Sequence, residues 1–412
     1  MVIAKLALHH FRSFSSGVFE LASGQAGTGL VTAESSTAPT SAPTTIIVGP
    51  NASGKTSIIE AVNLLATAES FRATKIEEMI EFDQELARIK GAVLVPADDS
   101  GKPAESGVEQ ERSTSQATPN NHERLELEVL LTRGLVQGRP AQRRLYSVNN
   151  VRRQKKTFTG QLLTVVFRPE DMRLVEGSPG RRRDFLDQPL CLVDRDYARS
   201  LKTYSQALVR RNKLLWQISE HGVPRTALTY WDQTLLKHGR LVQQARRRLL
   251  TALNGVSFSR TDRLRDNAAT GALTFRASYQ PSIISAERQD QYRDRAIAAK
   301  HSLIGPQKDD FSITIDDPRT GPEPVDVAAY GSRGQQRLAV LWLKLGELAF
   351  VRERTNHRPV LLLDDILSEL DDCGRQLVLA ELGKRQTIIT TTDQELTNQV
   401  VADHGAKRVR LE

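Results

Sequence analysis

Three short apolar runs punctuate the chain: "TTIIVG" at 44–49, "PVLLLDD" at 359–365 and "QTIITTT" at 386–392. Each is aliphatic or β-branched at successive positions and is bounded by turn or polar residues, the pattern of a strand covered on both faces. Helical spacing follows the first run in "TSIIEAVNLLA" at 56–66 and precedes the second in "QQRLAVLWLKLGELAFV" at 335–351. Strands alternating with helices predict a largely parallel α/β sheet. The middle of the chain has a different period. Tyr197, Leu201, Tyr204, Leu208, Leu215 and Ile218 fall at helical intervals, and after "EHGVPRT" a second series runs through Leu228, Trp231, Leu235, Val242, Ala245 and Leu249. At ~1.5 Å per residue each helix is about 35 Å long. The short Gly/Pro connection predicts an antiparallel hairpin. Strand character returns in "FSITIDD" after residue 310. The expected fold class is therefore α/β, with one domain built from both chain ends, 1–175 and 302–412, and a helical arm inserted at 176–301.

Two stretches break the pattern. Residues 23–44 are nearly all small or turn-forming, and residues 96–122 are rich in Ser, Pro, Glu and Gln. Neither buries enough apolar surface to offset its ordering entropy, so both are expected as flexible insertions. The length of 412 residues favours two lobes or more. A net charge of +8 favours a polyanionic partner. Cys191 and Cys373 are the only cysteines, which argues against a disulfide framework or a zinc site. With no run near the ~18 apolar residues of a membrane span and no signal-peptide pattern, a cytoplasmic protein with no membrane partner is expected.

The strongest chemical signal is "GPNASGKT" at 49–56, which matches G-x-x-x-x-G-K-[ST] behind a strand and ahead of a helix. In that context Gly49, Pro50, Asn51, Ala52, Ser53 and Gly54 form a phosphate-binding loop. Backbone N–H groups from Asn51 to Lys55 wrap the β-phosphate, Lys55 reaches the β- and γ-phosphates, and Thr56 ligates Mg²⁺. Gly49 and Gly54 allow the tight turn and the close approach of the ligand. The run "VLLLDD" ends in Asp364, a second Mg²⁺ ligand, and Asp365, placed to polarise an attacking water. Far downstream, "AYGSRGQQRL" at 329–338 joins a glycine-flanked turn to a helix N-terminus, a second anion-seeking feature. By itself that turn also reads as a simple helix cap, with Ser332 capping Gln335.

"YGSRGQQR" resembles the signature motif of ABC-type ATPases, and "LSELDD" at 367–372 resembles the D-loop behind their Walker B strand. Further stretches are similar to the RecF family, in the SMC-like DNA-repair branch of those ATPases. They are "LHHFRSF" at 8–14, "SFR" at 70–72, "FRPEDMRLVEGSPGRRRDFLD" at 167–187, "IGPQKDDF" at 304–311, "LLLDDILSELDD" at 361–372 and "TTT" at 390–392. The resemblance spans nearly the whole chain outside the two insertions. It departs at Gln307 and Lys308, where the family usually shows His-Arg, and no histidine follows the last core strand, where Thr391 and Thr392 stand.

The resemblance implies a P-loop ABC-type ATPase head with ATP and Mg²⁺ as cofactors and a weak Mg-dependent ATPase activity. It further implies an ATP-dependent homodimer in which Ser332, Gly334 and Gln335 close over the partner's ATP and Asp371 meets the partner across the D-loop. Gln84 is a Q-loop candidate for sensing the metal, and Arg72 resembles the arginine that couples DNA to the nucleotide. The implied work is recognition of gapped or duplex DNA and, with RecR and RecO, help in loading RecA for repair and the SOS response. Basic clusters at Arg143–Arg144, Arg152–Arg153 with Lys155–Lys156, Arg181–Arg183, Arg210–Arg211 with Lys213, and Arg246–Arg248 are candidate phosphate contacts without sequence preference. A transporter-type ABC ATPase is disfavoured by the inserted arm and the "RPEDMRLVEGSP" stretch. A Rad50- or SMC-like structural ATPase needs a long coiled coil that the chain lacks.

Overall fold

The aliphatic run at the first predicted strand folds as Thr44–Val48, with all five side chains buried. In the computed structural model, which describes residues 1–22, 42–96, 122–256, 274–316 and 323–412, it lies in a five-stranded sheet. The order is Thr164–Phe167, Val360–Asp364, Thr387–Thr391, Thr44–Val48 and Lys407–Arg410. Pairing is parallel from Val360–Asp364 through to Lys407–Arg410, with Leu361 opposite Thr387 and Thr387 opposite Thr44. This register brings the ends of three strands level, and the candidate site is built there.

Period-two alternation produces a second sheet, six antiparallel strands in the order Phe14–Glu20, Val2–Phe11, Leu86–Pro96, His122–Thr132, Arg144–Val148 and Val151–Arg153. Ala87, Ile89 and Val93 point inward while Arg88 and Lys90 point out. The helix Lys55–Thr67 is apolar nearly all round because it is covered on both sides. Its Ile58, Val62 and Leu65 share one core with Ile3, Leu6 and Ile89 of the antiparallel sheet and with Leu362 and Ile388 of the parallel one. Each such side chain contributes about 1.5–3 kcal/mol on burial. Gly91 gives Leu65 its seat, since a Cβ there would lie 2.6 Å from the Leu65 Cδ1.

The described chain divides into two compact units: Met1–Val166 with His357–Ser368 and Leu377–Glu412, and Phe167–Asn356 with Glu369–Gln376. This differs from the expected boundaries at 175 and 302. Residues 302–356, including the helix Arg333–Thr355, fall in the second unit, because that helix packs among the elements of the expected arm. Its Trp342 stacks on Phe275 at 5.8 Å and donates to the Val256 carbonyl at 3.3 Å.

The second unit is accordingly more than a helical hairpin. The helices Arg195–His221 and Thr229–Asn254 run antiparallel, with Arg211 paired to Asp232 at 2.6 Å and Tyr204 against Gly239. Beside them lie three antiparallel strands, Thr274–Gln280, Asp310–Asp316 and Val325–Asp326. Asp309, fully buried, is the polar hub: it accepts hydrogen bonds from Gln243 Nε2 and the Ser282 N–H at 2.8 Å, from Arg246 at 3.1 Å and from the Tyr279 hydroxyl. Burial, and then the neighbouring carboxylates Asp187 and Asp309, push the hydroxyls of Tyr197 and Tyr279 well above the ordinary tyrosine range. On the helix Arg333–Thr355, buried Lys344 pairs with Glu347 at 3.1 Å and Asp171 at 3.4 Å. Burial opposes its charge, yet the two carboxylates outweigh that and hold its pKa above the ordinary lysine value.

The expected insertions, 23–44 and 96–122, lie almost wholly outside the described residues; at their margins Thr44 opens a strand and Pro96 closes one. Among the described residues no helix is long and apolar enough to cross a membrane.

Candidate functional site

Between the Val48 strand end and the helix start at Lys55, the chain turns through two left-handed residues, Ala52 (φ 67) and Gly54 (φ 94). A Cβ on Gly54 would stand 2.6 Å from the Phe14 ring, and one on Gly49 would stand 2.7 Å from Ser53 Oγ and 2.8 Å from the Leu411 carbonyl. Both glycines are therefore required by packing, and Gly54 also by its conformation. No side chain caps the helix that follows, and its first turn has no acidic residue. Its N–H groups and dipole are left for an anion. Lys55, 7% exposed, folds back so that Nζ donates to the carbonyls of Gly49 and Pro50 at 2.6 and 2.7 Å. Neutral carbonyls leave its positive charge uncompensated at the mouth of the loop. Among the described residues Ser53 Oγ, shielded from solvent, has no hydrogen-bond partner. A phosphate fits this set of donors.

The second half of the site comes from the neighbouring strand ends. Thr56 Oγ1 donates to Asp364 Oδ1 at 3.0 Å, and Thr390 Oγ1 donates to the same oxygen at 2.8 Å. Asp364 is 5% exposed, so these two hydroxyls hold its carboxylate in one orientation. Among the described residues no group of three or more His, Cys, Asp or Glu is poised to hold a metal. One hydroxyl and one carboxylate beside a phosphate cradle suit Mg²⁺, which keeps several waters and phosphate oxygens in its shell. Asp365 follows in a left-handed conformation (φ 52), its N–H donating to the Thr390 carbonyl and hydroxyl at 3.1 Å each. Asp tolerates that conformation better than most residues, and the clamp to the adjacent strand holds it there.

Behind the loop, Glu60 of the helix Lys55–Thr67 is fully buried and receives Arg12 in a bidentate pair at 2.8 and 2.6 Å. The Ser70 hydroxyl donates to Glu60 as well and accepts from the N–H groups of Arg72 and Ala73 at 2.9 and 2.7 Å. Arg72 itself is exposed. Gln84 sits in a turn whose main chain is held by Glu81 and Arg133. Among the described residues no hydrogen bond joins its side chain to Thr56. Thr391 accepts the Asp393 N–H at 3.0 Å, at the start of the next helix.

The downstream turn lies in the second unit. Ser332 Oγ accepts the Gln335 N–H at 3.2 Å and the Gln335 side chain accepts the Ser332 N–H at 2.9 Å, a complete capping box. Ser332 is exposed, and a Cβ on Gly334 would meet nothing nearer than 3.9 Å. Neither conformation nor packing within the described chain demands a glycine there, the second residue of the helix. Asp371, also exposed, accepts the Gly374 N–H at 2.8 Å. Gln307, in place of the family's usual histidine, accepts from the Tyr204 hydroxyl and donates to the Ile304 carbonyl at 2.8 Å.

Two of the expected DNA-facing arginines are internal. Arg246 is 2% exposed and binds Asp187 bidentately at 2.8 Å, and Arg211 is 4% exposed on Asp232 and Ser302. Both occupy the buried stripe of their helices, where desolvation demands a partner. Arg182 pairs with Asp310 at 2.6 Å and Arg183 donates to the Asp309 carbonyl at 2.9 Å, so they too serve the interior of their unit. Arg152, Arg153, Lys156, Arg210, Lys213, Arg247 and Arg248 remain exposed.

Residues 31–410 match the family described as the RecF/RecN/SMC N terminal domain. A DNA replication and repair protein RecF from Agathobacter rectalis is 32% identical over 87% of this chain and 89% of that protein. One from Herpetosiphon aurantiacus is 34% identical over 84% and 87%. Among solved structures, the recombination mediator protein RecF-ATPrS in the RecFOR pathway superposes with a TM-score of 0.72 at 26% identity, covering 95% of this chain and 93% of that one. The corresponding RecF-ATP structure superposes with a TM-score of 0.71.

Proposed function

The chain belongs to the RecF family of DNA replication and repair proteins, and from that premise we propose that it is an ATP-controlled clamp on gapped or duplex DNA. ATP and Mg²⁺ bind at Gly49–Thr56 and Asp364, two copies pair around the nucleotides, and slow hydrolysis releases the DNA. RecR and RecO are its partners in helping RecA to load, in repair and in the SOS response. The observation that carries this reading is the joint between loop and strand: Thr56 and Thr390 both donate to Asp364 Oδ1, at 3.0 and 2.8 Å.

In this reading each site residue has a role. Gly49 to Gly54 and the helix N-terminus bind the phosphates through backbone N–H groups. Lys55, released from its two carbonyls, turns its charge to the β- and γ-phosphates. Thr56 and Asp364 hold the metal; bound Mg²⁺ supplies charge neutralisation and polarises the phosphate oxygens. Asp365 orients the attacking water and takes its proton. Ser332, Gly334 and Gln335 serve the partner's ATP, which gives the unexplained glycine at 334 a reason: a close approach from outside the chain. Asp371 serves the same dimer contact.

Sedimentation of the Asp365→Asn protein with and without ATP and Mg²⁺ tests the proposal. The substitution leaves the ATP-binding residues in place and blocks hydrolysis, so the expected result is conversion of monomer to dimer on adding ATP. A protein that binds ATP and stays monomeric would remove the clamp.

A further inference from the structure

Residues 133 to 169 contain nine Lys and Arg and no Asp or Glu, in a chain with 49 acidic residues among 412. A stretch of that length would carry about four acidic residues at the chain's average, so the charge is segregated rather than mixed. The structure sorts the cations into two kinds. One kind is structural: Arg143 pairs with Glu77 at 2.7 Å, Arg144 donates to the Ala68 carbonyl at 3.5 Å, and Lys155 pairs with Glu69. The other kind is free. The side chains of Arg139, Arg152, Arg153 and Lys156 are exposed and have no hydrogen bond or ion pair among the described residues.

Two of the free cations, Arg152 and Arg153, sit on a rigid edge, and Lys156 follows in the next helix. Asn149 (φ 50) and Asn150 (φ 63) make a tight two-residue turn between Arg144–Val148 and Val151–Arg153. Asn149 is pinned by hydrogen bonds of 2.8 Å in each direction with the Glu126 main chain. Among the described residues Val151–Arg153 is the last strand of the six-stranded sheet and pairs only with Arg144–Val148. Arg152 stands opposite Ser147, on the outer face of the sheet, and Arg153 stands opposite Tyr146, on the other face. The chain then turns into the short helix Lys155–Phe158, which carries Lys156. Next the Gly160 N–H and the Thr159 hydroxyl bond to the carbonyls of Ala66 and Thr67, at the end of the P-loop helix.

We infer that this sheet edge, Arg152, Arg153 and Lys156, is a track for the phosphate backbone of duplex DNA, an assignment that rests on the DNA-clamp reading above. Successive strand residues alternate in facing, so Arg152 and Arg153 place charge on both sides of the edge, with Lys156 just beyond it. Cations without a base-reading group beside them suit phosphate contact without sequence preference. An acidic protein surface is the less suitable occupant. Protein interfaces are anchored by exposed aromatics, whereas the three aromatics of the segment, Tyr146, Phe158 and Phe167, are all buried.

The test is duplex-DNA affinity over a salt series, with ATP and Mg²⁺, for the wild-type chain, R152A/R153A/K156A and the charge-preserving R152K/R153K. The triple variant is expected to bind roughly tenfold or more weakly and to lose about 3 from its salt slope for each protomer on the DNA, with ATP binding unchanged. The lysine variant should keep the wild-type slope. An unchanged affinity and slope in the triple variant, or a loss shared by the lysine variant, would overturn the track and leave the clamp standing. Absence of ATP-dependent DNA binding by the wild-type chain would instead overturn the clamp reading itself.

Discussion

At the residue scale, the site depends on one side chain that carries no motif of its own. Thr390 is 1% exposed, donates to Asp364 at 2.8 Å and accepts the Asp365 N–H at 3.1 Å, so it orients the Asp364 carboxylate and fixes the left-handed turn beside it. Thr390→Val keeps the shape and removes the hydroxyl. A hydrogen bond to a charged group contributes about 1.5–3 kcal/mol, so ATP affinity measured with Mg²⁺ should fall about tenfold or more. Affinity measured without Mg²⁺ should change little. Calorimetric titrations under both conditions check this; equal losses in the two would deny Thr390 a part in metal placement. The phosphate loop, Lys55, Thr56 and the Asp364–Asp365 pair were legible because a tight glycine turn and a strand end are local features. Thr390 lies in the run "TTT", but its role rests on a neighbour 26 positions away in sequence.

At the element scale, continuous aliphatic runs announced the parallel strands, since a strand covered on both faces needs no polar positions. The antiparallel sheet is harder to see in the sequence, although its alternation is present in Ala87, Arg88, Ile89 and Lys90. Two of its adjacent strands, Leu86–Pro96 and His122–Thr132, flank one of the expected insertions, so their pairing is not a local signal. The second unit ties its helix Pro179–Val193 to the strand Asp310–Asp316 through Arg182 and Asp310. Burial alone would raise the Asp310 pKa, but the Arg182 hydrogen bonds and the Phe311 N–H outweigh it and hold the carboxyl below its ordinary 3.8. A lowered carboxylate pKa contributes stability that is present above the unfolded value and is lost as pH falls through the folded one. Asp310→Asn should therefore lower the urea midpoint at pH 7 and flatten its decline below pH ~4. A decline as steep as wild type would place the acid sensitivity elsewhere.

At the scale of the whole molecule, ligand binding and stability are linked. A ligand at 100 times its Kd stabilises the state that binds it by ~2.7 kcal/mol. ATP with Mg²⁺ should raise the thermal midpoint of the wild-type chain, and Lys55→Ala should lose most of that rise. An undiminished rise in the variant would mean that Lys55 does not meet the phosphates. By itself the sequence determined the phosphate chemistry, the α/β class and the helical pair, because each is written in contiguous residues or in a short period. Tertiary structure decided which cations are available. Arg211 and Arg246 belong to basic runs, yet both lie on the apolar stripes of their helices, with Ala207 and Leu215 or Val242 and Leu249, and are consumed by Asp232, Asp187 and Asp309. Charge counted along the chain is blind to facing. A charge leaves water only where distant parts of the chain bring it a partner, so only the folded molecule separates the arginines that hold it together from those left free at its edge.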